Sequence, residues 1–79
     1  MNLKPIAANQ NEIELDHGTT IFFSYTTPVA AYIPGKGYVR TDKFWSVTTS
    51  KHINQFISRN GGMPGKAEIR PQSFFDSLI

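Results

Sequence analysis

The sequence predicts a single α+β domain: an antiparallel meander of about four strands packed against one central helix, followed by a short further strand and a short C-terminal helix. Three observations predict it. Apolar and polar residues alternate from Glu12 to Asp42, the two-residue repeat of strands. After Val47 the apolar repeat changes to that of a helix, with Ile53, Phe56 and Ile57 at i, i+3 and i+4. The length, 79 residues with 39% hydrophobic and 13% aromatic content, suits one compact core and rules out a two-domain enzyme.

Residues 1–10 lack periodicity and contain Pro5, so they are expected as a flexible or loosely docked arm, with the domain spanning 11–79. In Glu12–Asp16, Ile13 and Leu15 alternate with three carboxylates, which predicts a strand. His17-Gly18 reads as a tight turn into a second strand over Thr19–Tyr25, where Ile21, Phe23 and Tyr25 share one face and Phe22 and Ser24 the other. Thr26-Thr27-Pro28 predicts a bend or bulge, because proline brings no amide hydrogen to the ladder. Val29–Ile33 resumes the strand pattern, with Tyr32 on the face opposite Ile33 and therefore expected to be exposed. Pro34-Gly35-Lys36-Gly37 turns the chain into a fourth strand over Tyr38–Asp42.

The helix is expected from about Thr49 to Ser58, ended by the left-handed residue that Asn60-Gly61 supplies. A glycine-rich loop leads to a short strand over Lys66–Arg70. Pro71 starts a last helix, and Ser73 with Asp76 resembles a capping box.

The net charge of +2 conceals an asymmetry. Through Gly35 the chain sets Lys4 against Glu12, Glu14 and Asp16; from Lys36 onward seven cations face three carboxylates. A basic half of this kind attracts acidic partners or phosphate backbones, or is simply a solvated face. Its candidate contact residues are Arg40, Lys43, Arg59, Lys66 and Arg70, with Trp45 able to stack on unpaired bases. The competing expectation for Phe44 and Trp45 is that they fill the core between sheet and helix.

The start of the helix is the second candidate. Thr48, Thr49 and Ser50 offer hydroxyl caps, while Lys51 and the protonatable His52 stand where the helix dipole favours anions. The sharper reading is an anion site made of these five residues; the plainer one is a capped helix with an exposed lysine. The third candidate is apolar: Phe74, Phe75, Leu78 and Ile79 do not all face one core on so short a helix, which predicts a surface for another chain or for a homodimer.

Catalytic and metal-binding patterns are absent from the sequence. His17, in a turn, is expected at the surface, and neither it nor His52 stands at a spacing tied to a nucleophile. Gly35-Lys36-Gly37 and Gly61-Gly62 do not match a phosphate-binding fingerprint. With no cysteine, thiolate chemistry and disulfides are excluded. The reading is therefore a non-enzymatic protein with no cofactor and no metal. No apolar run approaches the roughly 18 residues that span a bilayer, and the first residues lack a signal-peptide pattern, so a soluble, cytoplasmic protein is expected.

The run Phe23-Ser24-Tyr25-Thr26-Thr27-Pro28-Val29-Ala30, then Gly37-Tyr38 and Thr41, then Trp45-Ser46-Val47-Thr48-Thr49-Ser50-Lys51-His52-Ile53-Asn54 resembles a family of small domains, encoded mostly by bacteriophages, of unknown function. Its members share an "FSYxTPVA" strand and a "TTSKHIN" helix start, and this chain departs from them in a longer glycine-rich loop after Asn60. The resemblance implies viral origin and an α+β fold, and carries no activity or ligand onto any residue. The expectation is an interaction protein that occludes or adapts a host or viral protein. The alternative is a nucleic-acid-binding protein using the basic half and aromatic stacking.

Overall fold

A computed structural model describes the backbone of residues 2–7, 10–15 and 17–78, and the side chains of those from Gln10 onward. Its strands are β1 (Asn2–Ala7), β2 (Gln10–Glu14), β3 (Thr20–Ser24), β4 (Thr27–Ile33), β5 (Gly37–Thr41) and β6 (Glu68–Arg70). They form one sheet in chain order, antiparallel throughout except that β6 runs parallel to β5. The helices are α1 (Val47–Arg59) and α2 (Gln72–Asp76), with a 3-10 turn over Pro64–Lys66. The architecture is the expected α+β meander on one main helix, with a further short strand and a short C-terminal helix.

The sheet extends into the segment read from the sequence as an arm, since β1 pairs with β2 from Asn2↔Glu14 to Ala7↔Gln10. An edge strand tolerates Pro5, because alternate amides there face away from the ladder.

The His17-Gly18 turn closes through hydrogen bonds between Leu15 and Thr19 and from Gly18 N to Leu15 O. At the other end of β3, Tyr25 leaves the strand with φ 60°, a left-handed value at the two-residue turn into β4. The bulge expected near Pro28 is present: Phe22 pairs with Ala30 and Phe23 with Pro28, so Val29 is the extra residue. The bulge places both Val29 and Ala30 in the cluster beneath α1.

Two cores result, one on each sheet face. Phe22, Val29 and Ala30 meet Ile53, Phe56 and Ile57 of α1, with the Phe22 and Phe56 rings stacked at 4.8 Å. On the other face Ala31 and Val39 meet Phe75 of α2, with Ile33, Phe74 and Leu78 packed around them. The last helix thus docks on its own domain. Phe75 is core, Phe74 and Leu78 are partly buried against it, and the apolar partner surface expected there is largely covered; Ile79 lies outside the described residues. The capping box expected at Ser73 does not form, because α2 begins at Gln72 and Ser73 is already helical.

The C-terminus of α1 is a Schellman motif: Gly61, at φ 88°, donates to Ser58 O, and Gly62 donates to Ile57 O at 2.8 Å. Gly62 then lies against the Tyr38 ring, whose hydroxyl donates to Asn60 O at 2.9 Å. Burial, the neighbouring Tyr32 and the charge of Glu12 together push the Tyr38 hydroxyl above its ordinary pKa.

Candidate functional site

The connection between β5 and α1, residues 42–46, carries Phe44 and Trp45, for which core packing and a surface role were the competing expectations; both are exposed. Phe44 is 70% exposed, Trp45 41%, and Val47 on the first turn of α1 65%. Burial is already supplied on both sheet faces by Phe22, Phe56 and Phe75, which leaves these residues outside.

Trp45 is nevertheless held in place. Its indole N–H donates to Gln72 Oε1 at 3.1 Å, and Lys43 Nζ lies 4.1 Å from its ring centroid. Gln72 is the hub of this arrangement. Its Oε1 also accepts from Thr41 Oγ1 at 2.8 Å, while its Nε2 donates to Pro28 O at 2.7 Å and to Asp76 Oδ1 at 3.1 Å. One amide thus joins β4, β5, the connection and α2 with four hydrogen bonds, the capacity usually cited for this side chain. The lone sequence cue was its position directly after Pro71, at the opening of a helix.

The expected anion site at the helix start comes apart. Ser46, not Thr48 to Ser50, is the N-cap: its hydroxyl accepts from Thr49 N at 3.0 Å and its carbonyl from Ser50 N at 3.0 Å. The amides near Ser50 are therefore already taken. Thr48 and Lys51 stand exposed, Ser50 is half-buried, and Thr49 and His52 turn into the protein. There Ser24 Oγ hydrogen-bonds Thr49 Oγ1 at 3.1 Å and His52 Nδ1 at 2.9 Å. Thr49 and His52 continue the stripe of Ile53, Phe56 and Ile57 one turn toward the N-terminus, in polar form, and that spacing was the signal that would have found them.

A serine–histidine pair invites comparison with a nucleophile and base. Ser24 is 2% exposed, so its hydroxyl is closed to a substrate, and among the described residues no carboxylate hydrogen-bonds His52. The pair ties β3 to α1. Gln10, cross-strand from Ser24, leaves its Oε1 buried without a partner.

The basic residues do not assemble into one patch. Arg40 donates to Asn54 Oδ1 at 2.9 Å, Arg59 pairs with Glu12 at 3.0 Å, and Arg70 pairs with Glu68 while lying over the Phe74 ring. Lys43 covers Trp45, and Lys66 stands exposed on the 3-10 turn. His17 is exposed in its turn and Tyr32 on β4, as expected. Among the described residues no group of three or more metal-ligating side chains gathers, and no helix is long and apolar enough to cross a membrane.

No curated protein and no solved structure matches this chain. A family model does, over residues 1–77, and with nearly the whole chain covered the protein belongs to the family of unknown function DUF8033.

Proposed function

We propose that this protein is a small, non-enzymatic interaction protein of bacteriophage type that binds a host or viral protein, occluding or adapting it in the host cytoplasm. The observation that carries this reading is the exposure of Phe44 and Val47 on either side of a tryptophan pinned by Gln72 and Lys43. Exposed apolar groups on a preorganised backbone lose little conformational entropy on binding, and aromatic anchors dominate interface energetics. A protein partner is favoured over nucleic acid because Arg59 and Arg70 are ion-paired with Glu12 and Glu68 within the fold, which offsets two of the cations a phosphate backbone would use.

The test is affinity capture from host lysate at several salt concentrations, with and without nuclease. A protein retained after nuclease treatment is the expected result. Loss of all retained material on nuclease treatment would transfer the reading to nucleic acid, and retention of nothing above background at any salt concentration would refute both.

A further inference from the structure

Among the described residues, Lys36, Lys43, Lys51 and Lys66 make no ion pair, and Lys43 lies over the Trp45 ring. Lys36 and Lys66 line a single cleft of about 450 Å³, together with Tyr38, Met63, Ala67 and Glu68. The lysines come from separate elements whose backbones are fixed: Lys36 N donates to Ile33 O in the β4–β5 turn, and Lys66 N donates to Met63 O in the 3-10 turn. The one carboxylate of the lining, Glu68, already accepts a hydrogen bond from Arg70. Two lysines from separate elements therefore line one concave surface, and the carboxylate beside them is hydrogen-bonded to Arg70. Beside Gly37, the remaining lining residues are apolar or aromatic: Met63 is exposed, and Ala67 and Tyr38 pack against the core beneath α1.

We propose that this cleft binds a small phosphate monoester bearing an apolar body. A monoester carries about −1.5 to −2 charges at neutral pH, which two lysines match and a single carboxylate does not. Lysine acts on phosphate as a movable point charge, which suits two ammonium groups delivered from different elements. The volume is in the range of small-molecule sites, roughly 300–1,000 Å³, and the apolar body rests on Met63, Ala67 and the Tyr38 ring. This site is separate from the Phe44–Val47 strip and stands or falls independently of the partner proposed there.

The experiment is an amide NMR titration of the whole chain with phenyl phosphate, with inorganic phosphate and benzoate as comparators. Phenyl phosphate is expected to give saturable shifts at Lys36, Gly37, Lys66 and Ala67 and to bind more tightly than either comparator. The Lys36→Gln/Lys66→Gln double variant is expected to weaken it about tenfold or more, the scale of one or two charge-assisted hydrogen bonds. Both side chains are exposed, so an otherwise unchanged spectrum establishes that the variant is folded. Lys51→Gln is expected to bind as the unaltered chain does. The proposal is overturned by an absence of saturable shifts, by largest shifts at residues 47–51, by benzoate binding as tightly as phenyl phosphate, or by Lys51→Gln weakening binding as much as the double variant.

Discussion

Gly62→Ala offers a clean steric perturbation, because Gly62 does not occupy the left-handed region that makes most glycine substitutions ambiguous. A Cβ built there lies 2.6 Å from Tyr38 Cε2 and 2.7 Å from Ile57 Cγ2. Ile57 has no room to give way, and Tyr38 moves only by breaking the contacts that hold its ring. Ile57 is fully buried, and the Tyr38 ring is held by its hydrogen bond to Asn60 O and by the Tyr32 and Phe56 rings, at centroid distances of 5.0 and 6.0 Å. Gly62 itself is anchored by its bond to Ile57 O. Overpacking of this kind costs about 1–3 kcal/mol, against which alanine recovers about 0.4–1 kcal/mol by restricting the unfolded chain. The net expectation is a loss of about 1–2 kcal/mol, each kcal/mol lowering Tm by about 4–8 °C in a domain of this size. Gly65→Ala is the control: nothing lies within 4 Å of its Cβ, so it is expected to be neutral or slightly stabilising. Urea denaturation of both variants decides the matter. Equal stabilities for Gly62→Ala and Gly65→Ala would refute the packing of the loop against Tyr38.

Ser24→Ala and His52→Ala are each expected to cost about 1–3 kcal/mol, the first because it leaves His52 Nδ1 without its partner and the second because it removes a buried ring while Ser24 Oγ keeps Thr49 Oγ1, and the double variant is expected to cost clearly less than their sum. Additive losses in denaturation experiments would show that the two side chains do not interact. Gln10→Met removes a buried carbonyl without a partner at similar volume, so stability is expected to be unchanged or higher; a loss above about 1 kcal/mol would contradict the assignment of that atom. Because the Tyr38 pKa is raised on folding, its proton is retained longer in the folded chain, and stability is lost as pH rises above the ordinary value of 10.0. Denaturation at about pH 9 and pH 11 is expected to show a smaller fall for Tyr38→Phe than for the unaltered chain, and identical falls would contradict the shift.

Much of the fold was legible because backbone period and turn chemistry are local. The alternation from Glu12 to Asp42, the Asn60-Gly61 terminator and the bulge near Pro28 all appear where the residues put them. What was not legible depends on which surfaces find partners. Residues 2–7 gain their strand from pairing with β2, which no periodicity of their own announces. Phe75 is buried because Ala31 and Val39 present a second apolar sheet face, so the aromatic burial expected of Phe44 and Trp45 is met elsewhere. The helix start was misplaced by a few residues because three consecutive hydroxyls all resemble caps, and only the geometry selects Ser46. The links from Ser24 to Thr49 and His52 join residues 25 and 28 positions apart, beyond any local pattern.

Contact with another macromolecule is proposed to run through Phe44 and Val47, the side chains left outside the two cores on the β5–α1 connection and the first turn of α1. Repeating the lysate capture with Phe44→Ser/Val47→Ser tests it most directly, since neither side chain is needed by either core and Trp45 keeps its bond to Gln72. The prediction is a variant with unaltered denaturation behaviour that no longer retains the nuclease-resistant partner. Undiminished retention by the folded variant would contradict the claim.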